Sequence, residues 1–132
     1  MEYKKGANLP GFHIFTSNFI FKYPIASFHR DFQYLSLPWD NCCDQSNIIS
    51  FTIPIFLPKD SCGLYIFNYD GNNIFRAMNS KKQKYIYEEG KIYIHNGLHW
   101  HMIAPCRIKK NEYRITLQGH GIKCGDTWYL YW

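Results

Sequence analysis

The sequence predicts an all-β protein, a sandwich or barrel of about eight to ten short strands with few or no helices. Aromatic residues make up 19% of its 132 residues, and this share, together with many isoleucines, favours strands. Short apolar runs recur along the chain, and turn signals such as Asp70-Gly71-Asn72 separate them. No segment shows a helical spacing of apolar residues. We therefore expect a jelly roll, whose mouth commonly holds a ligand or a metal.

The first third of the chain predicts two strand regions and a long loop. Phe12–Tyr23 is rich in Phe, Ile and Thr and predicts one or two strands, which Pro24 ends. Ile25–Leu37 predicts a further strand followed by a short second run. Pro38–Asn47 is mostly polar, and a loop of this length inside a compact domain is often functional. We expect it to act as a lid or to contact a substrate.

The middle of the chain contains the clearest strand. In Ile48–Leu57 apolar residues alternate with Ser, Thr and Pro, and Pro54 predicts an edge or a bulge late in the strand. In Gly63–Tyr69 aromatic residues alternate with Leu64, Ile66 and Asn68, which predicts another strand. Ile74–Lys84 is ambiguous between a short helix and an irregular basic loop, and we favour the loop.

The last third predicts a hairpin and three further strands. Tyr85–Tyr87 and Lys91–His95 flank a Glu-Glu-Gly turn, which is typical of a hairpin. Leu98–Ala104 predicts a strand that a proline ends. Tyr113–Gly119 and Thr127–Trp132 predict the final two strands.

Length and charge bound the class of protein. We expect residues 1–132 to form one domain with its own core. The net charge is +5 and the isoelectric point about 8.9, which favours anionic ligands but is weaker than the charge of a typical nucleic-acid binder. The basic runs Lys81–Lys84 and Arg107–Lys110 are expected to be solvated loops.

The cysteines favour a reducing compartment. There are five cysteines, and an odd number with two adjacent is a poor disulfide framework. The sequence contains no Cys-x-x-Cys motif, so a zinc site is not indicated. We therefore expect reduced thiols in a cytoplasmic protein. The chain begins without the apolar run of a signal peptide and contains no stretch long enough to span a membrane.

A set of metal-binding side chains lies along the predicted strands. His29 and Asp31 are two residues apart and point to the same side of an extended segment. His101 follows far downstream, and Arg114 lies on a later strand. Fe(II) that must bind oxygen and a substrate needs three protein ligands on one face and open positions opposite, which two imidazoles and one carboxylate supply.

These residues, in this order, resemble the core of the Fe(II)- and 2-oxoglutarate-dependent oxygenases, a double-stranded β-helix related to the cupin barrel. The resemblance spans roughly residues 12–132. It implies that His29, Asp31 and His101 hold Fe(II). It also implies that Arg114 pairs with the distal carboxylate of 2-oxoglutarate and that Thr116 adds a hydroxyl donor. Because the carboxylate ligand is present, the resemblance favours a hydroxylase.

The remaining histidines leave alternatives open. His99 competes with His101 for the role of distal ligand, and we favour His101, with His99 contacting a ligand residue or the substrate. His120 either is structural or lines the pocket. His13 and His95 are expected to be structural, because a lone histidine is more often hydrogen-bonded than a ligand.

Two other functions compete with the oxygenase. The first is a cupin-like protein that binds a metal or a small molecule, although no glutamate lies near the His-x-Asp pair. The second is a non-catalytic β-barrel module that contacts protein or nucleic acid through its basic loops.

The substrate is expected to be a small molecule or a peptide, and the fold does not choose among the many classes that the family modifies. Pro38–Asn47 and Asn72–Lys84 are the expected specificity segments. Family members usually carry helices before the core, and this chain has almost none. We therefore expect a minimal member, a fragment, an inactive relative, or a sheet that a second copy covers in a homodimer.

Overall fold

The structure, a computed structural model, describes residues 1–3, 10–23, 28–39, 41, 43–60 and 62–132. The predicted break at Pro24 and the start of the strand predicted from Ile25 lie outside these residues. None of the helices in the described part of the chain has the length and hydrophobicity needed to cross a bilayer.

The described residues form nine strands, which confirms the predicted all-β class. The strands are β1 (Glu2–Tyr3), β2 (Phe12–Phe15), β3 (Cys43–Phe56), β4 (Gly63–Phe67), β5 (Lys82–Ile86), β6 (Tyr93–Asn96), β7 (His101–Ile103), β8 (Arg114–Cys124) and β9 (Thr127–Tyr131). Helical structure is limited to α1 (Ile74–Asn79) and the 3-10 turns Phe19–Lys22 and Gln33–Ser36.

The strands form two sheets. The larger has the order β1-β9-β8-β3-β6. Strand β2 also pairs with the first half of β8, and β9 pairs with the second half of the same strand. The smaller has the order β5-β4-β7. All pairings are antiparallel except that of β1 with β9. A cavity lies between the sheets and is lined by residues of β3 and β8 on one side and of β4 and β7 on the other.

Strand β3 begins earlier than the sequence predicts. The prediction of a loop over Pro38–Asn47 is wrong from Cys43 onward. This polar segment instead extends β3 alongside the end of β8. The register shifts between Asp44 and Ile48, and again between Pro54 and Phe56, which confirms the bulge predicted at the proline.

The polar half of the β3 alternation faces inward. Ser50 and Thr52 are buried, whereas Ile49 and Ile53 on the other face are half-buried. The two hydroxyl residues line the cavity, so a polar wall replaces the apolar core that an alternating strand normally presents.

Two predictions for the middle of the chain are wrong. The segment expected to be a loop forms helix α1 and part of β5, because the Asn73 side chain caps the helix by accepting from the Arg76 N–H at 3.0 Å. The expected hairpin does not form, because β5 pairs with β4 in the small sheet and β6 pairs with β3 in the large one.

Four cysteines form two disulfide bonds, Cys43–Cys124 and Cys62–Cys106, so the prediction of reduced thiols is wrong for these four. Cys43 and Cys124 are directly paired across β3 and β8. The second bond joins the residue before β4 to the segment after β7, the strand that pairs with β4. Strand pairing creates both contacts, and cysteine spacing alone does not reveal it. The state of Cys42 lies outside the described residues.

Candidate metal centre

A backbone bridge brings the two halves of the site together. His29 and His101 form an antiparallel pair in which each N–H donates to the carbonyl of the other, at 3.0 and 2.9 Å. Two residues on, the Asp31 N–H donates to the Gly97 carbonyl at 3.0 Å. The His-x-Asp segment is therefore held extended against the chain that leads into β7, and its two side chains point to the same side.

The three side chains that the sequence predicts as metal ligands lie close together in the structure. Ligand atoms of His29, Asp31 and His101 all lie within 4.8 Å of one another. Each imidazole Nε2 lies 3.4 Å from an oxygen of the carboxylate, His29 from Oδ1 and His101 from Oδ2. Asp31 and His101 are buried, while the side chain of His29 is 46% exposed. The group therefore opens to solvent on the His29 side.

The Asp31 carboxylate is held by further partners. The Ser50 hydroxyl donates to Oδ2, and Nδ1 of His120 lies 3.6 Å from the same oxygen. Burial acts to raise the pKa of the Asp31 carboxyl. The hydrogen bond from His29 and the nearby imidazoles of His101 and His120 outweigh burial, so its pKa lies below its usual range. The carboxylate therefore stays ionised, as a metal ligand must.

His101 is fixed in the tautomer that a ligand needs. Its Nδ1 lies 2.9 Å from the His99 carbonyl, which only accepts, so Nδ1 carries the hydrogen and Nε2 keeps its lone pair. Burial lowers the pKa of the His101 imidazole to about 4, against the opposing effect of Asp31. The ring is therefore neutral at physiological pH.

Arg30 anchors the ligand segment from the other side. Its Nε donates to the Leu98 carbonyl at 2.6 Å, and its Nη1 donates to Asn72 Oδ1 at 2.7 Å. The guanidinium thus ties the His-x-Asp segment to two turns that surround it.

Arg114 lies fully buried in the wall of the same cavity. Its guanidinium carbon lies 5.0 Å from the centre of the Phe15 ring and 5.7 Å from that of Tyr87. Burial lowers the pKa of Arg114, and the Tyr87 phenol acts in the opposite direction. None of its three guanidinium nitrogens forms a hydrogen bond of normal geometry within the described part of the chain.

The other predicted site residues are distributed differently. Thr116 is buried between Arg114 and Gln118 on the same face of β8 but does not line the cavity, and its hydroxyl lies 3.3 Å from the Gln118 amide nitrogen. His120 lines the cavity. His99 does not, because it precedes β7 in a turn and lines a neighbouring pocket.

The sequence did not indicate that His95 and Ser50 belong to the site. His95 was expected to be structural, yet it lines the cavity, and its ring centre lies 4.7 Å from that of His101. Ser50 holds the carboxylate. The available signal was the run of hydroxyl residues on one face of the clearest strand, which is unusual for a face that packs inward.

The cavity has a volume of about 450 Å³. Asp31 is the sole acid among its described lining residues, and Arg114 contributes a cation. Five of the six histidines of the chain line it: His13, His29, His95, His101 and His120.

These features fit the groups that the sequence suggested. Two imidazoles and a carboxylate, with one side open, are the donor set of a non-haem iron centre. A buried guanidinium without a carboxylate partner is costly unless a ligand supplies one, and a ligand carboxylate matches its two parallel N–H groups.

No protein-family model matches this chain, and no curated protein sequence matches it at a significant level. Its structure is similar to two crystal structures of an N-substituted L-amino acid dioxygenase from Burkholderia ambifaria AMMD, one of them in complex with alpha-KG (2-oxoglutarate). The TM-scores are 0.64 for that complex and 0.68 for the other structure, both at 12% sequence identity.

The alignments cover 93% of this chain and 52% of the dioxygenase chains, so this chain spans about half of their length. At this identity the likeness concerns the fold. The predicted all-β jelly-roll fold is thus confirmed.

Proposed function

We propose that this protein is an Fe(II)- and 2-oxoglutarate-dependent oxygenase that hydroxylates a small-molecule or peptide substrate. One observation carries the proposal: the His29, Asp31 and His101 group shares a cavity with Arg114, which is buried without a carboxylate partner among the described residues. The structural likeness to a dioxygenase that binds alpha-KG supports it.

Different residues of the cavity would bind the metal and the co-substrate. His29, Asp31 and His101 would hold Fe(II), and Arg114 would hold the distal carboxylate of 2-oxoglutarate. When bound, Fe(II) would activate oxygen, the oxidant, and 2-oxoglutarate would supply two electrons as it is decarboxylated to succinate and CO2. Arg114 stays charged because a guanidinium keeps its proton in proteins. The rings of Phe15 and Tyr87 beside it exclude water from the pairing.

The test is an anaerobic titration of the protein with Fe(II) and then 2-oxoglutarate, monitored by the weak visible charge-transfer band of the chelated complex. We expect the band in the wild type and a much weaker band in Arg114→Ala at the same 2-oxoglutarate concentration. Arg107→Ala removes an exposed arginine outside the cavity and serves as the matched control.

Two further variants distinguish His99 from His101 as the distal metal ligand. His101→Ala should lose Fe(II) binding by equilibrium dialysis, whereas His99→Ala should retain it. Loss of binding in both variants, or in neither, would contradict the assignment of the distal ligand.

A second candidate is a cupin-like metal protein that does not use 2-oxoglutarate. His95 and His120 lie close to the candidate ligands, and such histidine-rich surroundings favour it. Fe(II) binding without any response to 2-oxoglutarate would support this alternative and overturn the oxygenase.

A further inference from the structure

A second pocket continues the face of the small sheet that carries His101. Ile66 of β4 is paired with His101 on one side and with Gln83 of β5 on the other. Directly paired residues of antiparallel strands point to the same face. Ile66 and Gln83 line the second pocket, so it adjoins the candidate metal centre. Two strand spacings place Gln83 roughly 10 Å from His101.

This pocket has the chemistry of an anion site. Its volume is about 350 Å³, and its described lining contains two lysines and no carboxylate. Lys82 holds its ammonium 4.7 Å from the centre of the Tyr65 ring. Lys81 is placed at the pocket because the Asn68 N–H donates to its carbonyl at 2.8 Å. Its ammonium meets no acid in the described part of the chain.

Neutral donors surround that cation. The pocket is also lined by Asn68, Gln83, Tyr85 and His99. Amide, phenol and imidazole groups donate hydrogen bonds, and the side chains of these four residues make none with other described residues.

We propose that this pocket binds an acidic group, a carboxylate or a phosphate, of an elongated substrate whose oxidised carbon lies at the His29, Asp31 and His101 site. The position of the oxidised carbon in this proposal rests on the proposed function. It defines the substrate class by two features: a negative group and a separation of roughly 10 Å between that group and the reacting carbon.

The test uses metal-free protein without 2-oxoglutarate and follows backbone amides by ¹H–¹⁵N NMR. The acidic probes are the α-amides of N-acetyl-L-glutamate and N-acetyl-O-phospho-L-serine, whose one acidic group is the side chain, and the neutral controls are the α-amides of N-acetyl-L-glutamine and N-acetyl-L-serine. We expect saturable shifts at Ile66, Gln83 and His99 with the acidic probes alone. The probe that binds more tightly distinguishes a carboxylate from a phosphate.

Two variants complete the design. Lys81→Ala should raise the dissociation constant roughly tenfold, as expected for one charge-assisted hydrogen bond. Lys84→Ala removes the same charge from the same run, but Lys84 is paired with Tyr65 and does not line the pocket, so binding should be unchanged.

Equal shifts with neutral and acidic probes would overturn the proposal, as would equal losses in the two variants. Because no iron is present, this outcome is independent of the charge-transfer experiment. A failed anion titration beside an intact band would refute the substrate class and leave the oxygenase standing.

Discussion

The hydroxyl of Ser50 donates to the Asp31 carboxylate, and Nδ1 of His120 lies 3.1 Å from that same hydroxyl oxygen. Since the serine hydrogen points to Asp31, its oxygen is free to accept from His120. The chain of contacts fixes one carboxylate oxygen from the β3 and β8 side, while His29 and His101 approach from the other. A metal ligand is thus oriented before any metal binds.

Removing the serine hydroxyl should weaken metal binding. In Ser50→Ala the carboxylate loses its donor, and we expect the affinity for Co(II), a spectroscopic substitute for Fe(II), to fall by about tenfold or more. The visible absorption of bound Co(II) provides the measurement. Ser36→Ala, at an exposed serine that donates to the nearby Gln33 carbonyl, should leave the affinity unchanged. Equal affinities of the two variants would refute the role of Ser50.

Gly97 should tolerate no side chain. A Cβ there would lie 2.6 Å from Ser50 Oγ and 3.5 Å from the Asp31 Cβ. Gly97→Ala should therefore lower the free energy of unfolding by about 1–3 kcal/mol and weaken Co(II) binding, because the crowded serine shifts the carboxylate. Urea unfolding and Co(II) titration check both effects. Gly11→Ala is the control, since a Cβ there meets nothing within 4 Å. Wild-type behaviour of Gly97→Ala would show that the backbone has more room than the structure gives it.

The metal-free protein should lose stability in mild acid. Burial lowers the pKa of His101 from 6.5 to about 4, so below pH 6.5 the unfolded chain binds a proton that the folded chain does not. The free energy of unfolding should fall by about 3 kcal/mol between pH 6.5 and 4 from this residue. His95 and His120 also have lowered pKa values through burial and act in the same direction.

Urea unfolding at several pH values, in the wild type and in His101→Gln, measures this contribution. The variant cannot titrate at this position, so its stability should depend less steeply on pH in that window. Parallel curves for the two proteins would show that His101 is not buried in its neutral form.

The two disulfides predict a thiol count. With four of five cysteines paired, unfolded protein that has not been reduced should offer no more than one thiol to Ellman's reagent, and reduced protein five. Peptide mapping should recover the Cys43–Cys124 and Cys62–Cys106 links. Reduction should also lower the free energy of unfolding, because each bond closes a long loop in the unfolded chain. Five reactive thiols before reduction would contradict the structure.

Local pattern was sufficient for much of the fold. The alternation in Ile48–Leu57 and the turn residues between apolar runs act over a few residues, so the sequence predicted most strands correctly. It failed where pairing between distant segments decides the outcome. The extension of β3 to Cys43 and the separation of β5 from β6 depend on neighbours that no short window contains.

The candidate site shows the same division. By itself, the sequence determined the donor types and their order, because His-x-Asp spacing and a later arginine are local chemical facts. Only the tertiary structure decided that Ser50 and His95 join the cavity, that His99 turns to the second pocket, and that four cysteines pair. Those outcomes depend on strand register, which places residues far apart in sequence within hydrogen-bonding distance and which side-chain chemistry alone does not encode.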